Sequence, residues 1–344
     1  MTSRTSILIT YTGGTIGMVV DNKTGALKPF NFDNLIKQIP ALKLFNLDIS
    51  SYCFEPVMDS SNMNTTFWGK LTDVIEENYE SYDGFVILHG SDTMAYTASA
   101  LSFMLQNLNK PVILTGSQLP LGMIRTDGRE NIITAVEIAA AKEDETPIVP
   151  EVCIYFENHL FRGNRTHKYN AQNFEAFGSP NYPALAKAGV YIDYNYNVIH
   201  KPNFKKLKIY KTLDCNITIL KLFPGISENS VRAILNIKGL KAVILETFGS
   251  GNAPDYPWFL KLLEEAIGKG VLIINVTQCQ IGMVEMGKYE TSIKLMDIGV
   301  VGGKDITTEA ALTKLMYLFG NFDNTKKITE MLNKSIVGEI SVKL

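Results

Sequence analysis

The segment Ile7-Leu8-Ile9-Thr10-Tyr11-Thr12-Gly13-Gly14-Thr15-Ile16-Gly17 is an apolar run that leads directly into a glycine-rich turn. The run predicts a buried β-strand over residues 7–11, and the glycine pair predicts a turn at the carboxyl edge of a sheet. A second segment has the same construction, because Gly84-Phe85-Val86-Ile87-Leu88 precedes His89-Gly90-Ser91-Asp92-Thr93. Open α/β sheets bind ligands at this edge, so the two polar strand ends predict one shared site.

Strand-like runs alternate with helical patterns along most of the chain, which indicates an α/β fold. In the first half, the patterns predict strands at 7–11, 84–88, 111–115 and 151–156, a helix capped by Asn64, and helices at 94–105 and 131–141. In the second half they predict strands at 217–223, 242–247 and 271–276 and helices at 227–235, 257–267 and 307–318. We therefore expect two doubly wound domains with right-handed crossovers: a larger N-terminal domain with a parallel or mixed sheet that carries the site, and a smaller C-terminal α/β domain.

Two segments interrupt this alternation. Residues 158–183 are polar and rich in asparagine, and they predict a long loop whose arginine and aromatic residues favour a functional role. Residues 190–212 are rich in tyrosine, asparagine and lysine and are interpreted as a linker. The predicted domains are accordingly residues 1–189, which carry the site, and residues 213–344.

Composition and charge exclude several classes of protein. The 344 residues are 46% hydrophobic and 20% charged, and 33 basic against 35 acidic residues leave a formal charge of −2, so no nucleic-acid partner is expected. Four cysteines and four histidines form no metal-binding motif, so neither a metal nor a cofactor is expected. The short apolar run before the glycine turn is neither a signal sequence nor a membrane span. We therefore expect a cytoplasmic protein without a membrane partner.

Polar residues follow the predicted parallel strands and should converge on one crevice. An alternative interpretation is that they are ordinary turn and N-cap residues. The set as a whole supplies what is needed to activate an alcohol for attack on a carbonyl: Thr15 and Ser91 are the hydroxyls, and Asp92 holds Lys168 in place. Lys168 can serve as the base only if burial lowers its pKa. Without these neighbours, Lys168 would be interpreted as a solvated loop lysine. Backbone N–H groups of the two glycine turns would form an oxyanion hole.

A nucleotide-binding oxidoreductase is a second hypothesis, because strand, glycine turn and helix also begin a dinucleotide-binding fingerprint. The positions that the fingerprint requires are Thr12, Gly14 and Gly17, so its first glycine is missing. No acidic strand end follows about 20 residues later, as that fold requires. The pattern therefore disfavours this hypothesis.

The chain closely resembles the type I, cytoplasmic bacterial L-asparaginases of the asparaginase/glutaminase family. The segments that carry the resemblance span nearly the whole chain: Tyr11-Thr12-Gly13-Gly14-Thr15-Ile16-Gly17-Met18, Met58-Asp59-Ser60-Ser61-Asn62-Met63, residues 84–98, Leu114-Thr115-Gly116-Ser117-Gln118, Phe161-Arg162-Gly163-Asn164-Arg165-Thr166, Gly249-Ser250-Gly251-Asn252-Ala253-Pro254 and Val276-Thr277-Gln278-Cys279.

This resemblance implies hydrolysis of L-asparagine to L-aspartate and ammonia through an acyl-enzyme on Thr15, together with weak activity on glutamine. It implies that Ser91, Lys168 and Asp92 form a second catalytic group. The predicted substrate-binding residues are Gly14, Asp59, Ser60, Ser61, Gly90, Ser91, Asp92 and Ser117. A homodimer, or a homotetramer built as a dimer of dimers, is expected because the family site is completed near a subunit interface.

The sequence departs from the family at two catalytic positions. Ser91 replaces the usual threonine, and because serine keeps the hydroxyl we expect the chemistry to survive. Many members carry a tyrosine in the loop after the first motif, but residues 19–32 of this chain contain no tyrosine. Tyr289 is the candidate replacement, and its alternative interpretation is a packed or interfacial aromatic residue. The missing tyrosine also motivates a third hypothesis, a non-catalytic amino-acid sensor.

Type I enzymes can carry a second, allosteric asparagine site. The family positions correspond to His167, Glu246, Thr277, Gln278 and Cys279. The last three match, but His167 replaces a threonine and Glu246 replaces an arginine that would pair with a carboxylate. An acidic residue would repel that carboxylate, so we expect no allosteric control by asparagine.

Overall fold

The computed structural model describes residues 4–20, 27–29 and 39–342, and it divides into two compact units. The first unit contains residues 1–179 and 183–211, and the second contains residues 180–182 and 212–344. No helix among the described residues is long and apolar enough to cross a membrane.

The N-terminal unit is built on a mixed sheet. Its strands in chain order are β1 (Thr5–Tyr11), β2 (Met18–Val20), β3 (Leu27–Pro29), β4 (Leu47–Cys53), β5 (Gly84–Leu88), β6 (Leu105–Gln106), β7 (Val112–Thr115), β8 (Lys142–Glu143), β9 (Thr146–Pro147), β10 (Val152–Phe156), β11 (His159–Arg162), β12 (His167–Lys168), β13 (Phe177–Gly178), β14 (Ala186–Ala188), β15 (Ile192–Tyr194) and β16 (Lys208–Ile209). The large sheet has the order β15-β14-β11-β10-β7-β5-β1-β4. Strands β4, β1, β5, β7 and β10 are parallel, and β11, β14 and β15 continue the sheet in antiparallel pairing.

Within the described residues, three helices connect parallel strands: α1 (Thr65–Asn78), α2 (Met94–Met104) and α3 (Gly128–Ala140). Helix α1 begins where predicted, because the Asn64 side chain accepts a hydrogen bond from the backbone N–H of Phe67 at 3.0 Å. The apolar residues of α1 and α2 pack on one face of the sheet, in a single core cluster with Leu8, Phe85 and other strand residues. Helix α3 contacts β1, β5, β7 and β10. The strands are consequently buried, as their nearly continuous apolar runs predict.

The second unit repeats this construction on a smaller scale. Its strands are β17 (Ile217–Lys221), β18 (Ala242–Thr247), β19 (Leu272–Thr277) and β20 (Val301–Gly302), in that order and all parallel. Its helices are α4 (Glu228–Leu235), α5 (Pro257–Gly268), α6 (Glu290–Asp297), α7 (Thr308–Asn321) and α8 (Thr325–Leu332). A separate hydrophobic core contains Leu220, Leu245 and Phe259, which explains why this unit is compact by itself.

The prediction of one long loop over 158–183 is wrong, because this segment contains β11, β12 and β13. Strand β11 is joined to β10 by the two-residue turn Glu157–Asn158, in which both residues have positive φ angles of 41° and 66°. Such a turn matches the twist of a hairpin, but without glycine at either position it leaves little trace in the sequence. The predicted start of α3 at residue 131 is also wrong, since the helix begins at Gly128.

The segment 190–212, interpreted as a linker, contributes two short strands in the structure. Strand β15 pairs with β14 at the edge of the large sheet, and β16 pairs with β6. Residues 183–211 lie within the first unit. The domain boundaries at 189 and 213 stay a prediction.

Candidate active site

The glycine turn after β1 is fixed by contacts with two neighbouring segments. Thr12 is buried and donates from its N–H and its hydroxyl to the carbonyl of Leu88, at 3.0 and 3.1 Å. A β-carbon on Gly13 would lie 2.0 Å from the carbonyl oxygen of Met58, and one on Gly14 would lie 2.4 Å from the Cα of Gly90. Both glycines also have positive φ angles, so side chains are excluded here by space and by conformation.

Thr15 begins a single 3-10 turn, Thr15–Gly17, directly after this glycine pair. The Gly17 N–H closes the turn by donating to the Gly14 carbonyl at 3.2 Å. Thr15 is partly exposed, whereas Ile16 and Gly17 are buried. The predicted nucleophile therefore stands just after the carboxyl end of β1 and is partly accessible.

A second 3-10 turn, Ser60–Asn62, follows Asp59. The Asp59 carboxylate caps it, accepting hydrogen bonds from the N–H and the hydroxyl of Ser61, both at 2.8 Å. The Ser61 backbone N–H is the largest cause of the lowered pKa of Asp59, with a further contribution from the Ser61 hydroxyl. Ser60 is buried, and its carbonyl accepts a hydrogen bond from the Thr93 hydroxyl at 2.6 Å.

The turn after β5 brings Ser91 and Asp92 to the lysine that the sequence assigned to them. Lys168, on β12, donates from Nζ to Ser91 Oγ at 2.8 Å and to Asp92 Oδ1 at 2.6 Å. The Lys168 side chain is only 15% exposed, whereas the Asp92 side chain is 66% exposed. The interpretation of Lys168 as a solvated loop lysine is therefore wrong, and the lysine is held between a hydroxyl and a carboxylate.

Ser117 follows β7 and is buried, and its hydroxyl has no hydrogen-bond partner within the described part of the chain. The preceding Gly116 packs on the β5 turn, since a β-carbon there would lie 2.5 Å from the His89 carbonyl oxygen. Asn131 on α3 holds the Gly116 carbonyl from the other side with a 3.0 Å hydrogen bond. The unpartnered hydroxyl of Ser117 therefore belongs to a segment that packs on the turn carrying Ser91.

His89 is a functional candidate that the sequence reasoning missed. It is completely buried, and its Nδ1 donates to the Gly90 carbonyl at 2.6 Å. Its Nε2 accepts from the Thr97 hydroxyl at 2.9 Å, and that hydroxyl in turn accepts from the indole N–H of Trp68 at 2.9 Å. Burial lowers the pKa of His89 to about 4, so the ring is neutral and keeps this tautomer. Thr97 lies on α2 and Trp68 lies on α1, and the spacing of these residues in the sequence does not indicate that they meet His89.

The structure therefore brings most of the predicted site residues together. Gly14 packs on Gly90, and Gly90 packs on Ser60, whose hydroxyl would lie 2.5 Å from a β-carbon at position 90. Ser91 and Asp92 follow Gly90 directly and bind Lys168. The loop segment without tyrosine lies mostly outside the described residues, which resume at 27–29 and at 39.

Tyr289 lies in the second unit, at the N-cap position of α6, and 48% of it is exposed. Its backbone N–H donates to the Ser292 hydroxyl at 3.2 Å, and the Lys288 ammonium lies 5.9 Å from the centre of its ring. The role of Tyr289 as a replacement for the loop tyrosine stays a prediction.

The second-unit residues of the predicted allosteric group lie at the ends of β18 and β19. The Glu246 carboxylate binds Lys221 Nζ at 3.2 Å and accepts a 2.7 Å hydrogen bond from the Thr308 hydroxyl. Gln278 donates to the carbonyl of Glu246, and Thr277 donates to the carbonyl of Gly249. Cys279 is exposed. His167, the remaining member of the predicted group, lies on β12 in the first unit.

Comparison with known proteins defines the class. Residues 6–200 match the family described as asparaginase, N-terminal, and residues 216–332 match the glutaminase/asparaginase C-terminal domain. The chain therefore belongs to the asparaginase family, and the predicted family and fold class are confirmed.

Several relatives match over their full length. L-asparaginase 1 of Escherichia coli K12 is 43% identical over 341 residues, which are 98% of either chain. The crystal structure of L-asparaginase I from Vibrio cholerae is 41% identical, with a TM-score of 0.88, and the match covers 99% of this chain and 100% of that one. The thermostable L-asparaginase from Thermococcus kodakarensis is 28% identical, with a TM-score of 0.90, and the match covers 98% and 100% of the two chains.

Proposed function

We propose that this protein hydrolyses L-asparagine to L-aspartate and ammonia, with Thr15 as the nucleophile. Full-length similarity to proteins named L-asparaginase supports the reaction. The observation that carries the assignment of the site is the contact of Lys168 Nζ with both Ser91 and Asp92 at the carboxyl ends of parallel strands. This arrangement supplies a base, a hydroxyl and an orienting carboxylate beside the turn that carries Thr15.

In the proposed mechanism the Thr15 hydroxyl attacks the side-chain amide carbon and forms an ester. Its proton leaves toward the Ser91–Lys168 pair and is delivered to the amide nitrogen, so that the C–N bond breaks and ammonia departs. Water then attacks the ester and releases L-aspartate, returning the proton to Thr15. Asp92 keeps the Lys168 side chain directed at Ser91 through both steps; Lys168 takes up the proton as the neutral amine and is an ammonium only until it passes the proton on. Acid–base assistance of this kind contributes roughly 10²–10⁴-fold in rate.

The amino-acid end of the substrate needs partners of opposite charge. The carboxylates of Asp59 and Asp92 suit the substrate ammonium, and the lowered pKa of Asp59 keeps that group ionised in weak acid. The hydroxyls of Ser60 and Ser117 and backbone N–H groups of the glycine turns suit the α-carboxylate and the developing oxyanion. The unpartnered hydroxyl of Ser117 supports its place in this set.

The decisive experiment is the substitution Thr15→Ala. We expect ammonia release from asparagine to disappear while the circular dichroism spectrum and L-aspartate binding remain. Thr146→Ala, in the β8–β9 hairpin, is the matched control and should keep full activity. Full activity of Thr15→Ala would disprove the nucleophile assignment, whereas binding of asparagine by the wild-type protein without any turnover would favour the amino-acid sensor.

Substrate preference and assembly belong to the same proposal. Asparagine and glutamine differ by one methylene, which is worth about 1–3 kcal/mol in a pocket, so weak glutaminase activity is expected beside asparaginase activity. Steady-state kinetics with both amides measure that ratio directly. We further propose a cytoplasmic homodimer or dimer of dimers, which sedimentation velocity would detect; a monomer that is fully active would exclude an interface from the site.

A further inference from the structure

Tyr11 is the last residue of β1, and its side chain is buried beneath the turn that carries Thr15. It pairs in register with Leu88 of β5, so its position is fixed by the sheet. The Tyr11 hydroxyl donates to the carbonyl oxygen of Gly14 at 3.2 Å. Because the Gly14 carbonyl is part of the peptide bond to Thr15, this hydrogen bond acts directly on the peptide unit that carries the predicted nucleophile.

The same phenol ring also contacts the far end of the turn. A β-carbon on Gly17 would lie 2.1 Å from both the hydroxyl oxygen and the Cζ of Tyr11, so any side chain at position 17 would displace the ring. The Gly14 carbonyl receives a second hydrogen bond from the Gly17 N–H at 3.2 Å. One side chain therefore contacts the residue before Thr15 and the last residue of its 3-10 turn.

Burial of the ring raises the pKa of Tyr11, with a smaller contribution from nearby Cys53. The hydroxyl consequently stays protonated in neutral solution and remains a hydrogen-bond donor. A protonated phenol does not accept the proton of Thr15. The role of Tyr11 must therefore follow from the hydrogen bond that it donates and from its packing against the turn.

The geometry points to Tyr11 as a positioning residue that fixes the Thr15 nucleophile by holding the Gly14–Thr15 peptide. The inference rests on the proposed role of Thr15. A glycine pair is conformationally permissive, and this one directly precedes the reacting side chain. Misplacement of a nucleophile by about 1 Å costs on the order of 10²-fold in rate, so a donor that fixes its peptide acts on the rate of reaction and leaves substrate binding unchanged.

The test is Tyr11→Phe, which keeps the ring and removes the hydroxyl. We expect kcat for asparagine to fall roughly tenfold, the value corresponding to loss of about one buried hydrogen bond, while KM and the Kd for L-aspartate stay within twofold. The pH dependence of kcat should keep its shape, because the removed group is not an acid or a base. Gly17→Ala should lower kcat at least as much, and adding Tyr11→Phe to it should cause little further loss.

Tyr155→Phe is the matched control, since Tyr155 is also buried in the large sheet and its pKa is also raised by burial. It should lose stability without a comparable fall in kcat. The number of L-aspartate sites, measured by calorimetric titration, separates slower turnover from partial unfolding. A wild-type kcat in Tyr11→Phe, a fall in aspartate sites that accounts for the lost activity, or an equal loss in Tyr155→Phe would each overturn the inference.

Thr15→Ala is measured in parallel so that the two proposals fail separately. If Thr15→Ala is inactive and Tyr11→Phe is fully active, only the positioning role is wrong. If Thr15→Ala is active, the nucleophile assignment is wrong and the positioning role falls with it.

Discussion

Gly14 and Gly90 pack backbone against backbone, so closely that a β-carbon on Gly14 would lie 2.4 Å from the Cα of Gly90. This contact joins the turn of the predicted nucleophile Thr15 to the turn of Ser91. Both turns follow parallel strands that are neighbours in the sheet, since β1 pairs with β5. The two halves of the proposed site are therefore aligned by backbone, which is more rigid than a pair of side chains.

Gly90→Ala tests how tightly this region is packed. Gly90 has a φ angle of −67°, which alanine adopts without strain, but a β-carbon there would lie 2.5 Å from the Ser60 hydroxyl. We expect Ser60 to be displaced and KM for asparagine to rise about tenfold or more, since a misplaced donor leaves a buried polar group unpaired. Gly69→Ala, on α1 with no atom within 4 Å of the new β-carbon, is the control and should leave kinetics unchanged. Unchanged KM in Gly90→Ala would show that Ser60 does not contact substrate.

The Lys168 cluster gives a second prediction, measured as kcat. Lys168→Gln removes the base that passes protons to and from Ser91, so kcat should fall by roughly 10²–10⁴-fold. Ser91→Thr keeps the hydroxyl that accepts from Lys168 and should stay within a few-fold of wild type, whereas Ser91→Ala should lose most activity. Lys187→Ala, an exposed lysine on β14, controls for loss of charge. Near-normal turnover by Lys168→Gln would require another base.

Local sequence predicted the strands and the edge at which the site forms, because buried parallel strands are nearly continuous apolar runs. It did not predict the hairpin at Glu157–Asn158, because that turn uses two non-glycine residues with positive φ angles. Local sequence also predicts a loop at Lys168, whereas this residue lies on the short strand β12, which pairs with β13.

The contacts that complete the site depend on tertiary structure and have no local signature. His89 is bound by Thr97, eight residues later, and through it by Trp68 on another helix. Tyr11 and Gly17 both belong to the first motif, yet their contact requires the chain to fold back over the ring. Periodicity reports which face of an element is buried, and it does not report which buried side chains meet.

Asparagine kinetics test the expected absence of allosteric control. Glu246 is already bound by Lys221 and Thr308, and its negative charge opposes a carboxylate ligand. We therefore expect hyperbolic dependence of rate on asparagine concentration, with a Hill coefficient of about 1 for one class of independent sites. Glu246→Gln, which removes the charge and keeps the size, should remain hyperbolic. A sigmoidal curve for the wild-type protein would contradict this prediction.

His89 should make folding stability depend on pH. Burial lowers its pKa from 6.5 to about 4, so between these values the unfolded chain binds a proton that the folded chain does not. The contribution of neutral His89 to the free energy of unfolding is thus fully present above pH 6.5. It is lost as the pH falls from 6.5 toward 4, and below that it no longer changes with pH. The loss for this group amounts to about 3 kcal/mol, and urea unfolding at several pH values measures it. His89→Asn should show a shallower slope than wild type over this window. Identical slopes would show that His89 titrates normally.

The buried ion pair of the second unit gives a prediction about stability alone. Lys314 on α7 binds Glu339 at 2.6 Å, and both side chains are 0% exposed. Lys314 also donates to the carbonyls of Leu332 and Lys334, while Glu339 accepts from the N–H groups of Ile336 and Val337. The pair therefore ties the segment after α8 to the core.

Lys314→Met should destabilise the folded protein by about 3–5 kcal/mol, because it leaves the Glu339 carboxylate buried without a counter-charge. The exposed i,i+4 pair Arg232–Glu228 provides the control, and Arg232→Met should cost less than about 1 kcal/mol. The double variant Lys314→Met/Glu339→Leu removes both charges but leaves the N–H groups of Ile336 and Val337 without their acceptor, so it should recover only part of the loss. Free energies of unfolding from urea titrations distinguish these cases. Full recovery in the double variant would mean that the charges are dispensable and that packing alone holds the C-terminal segment.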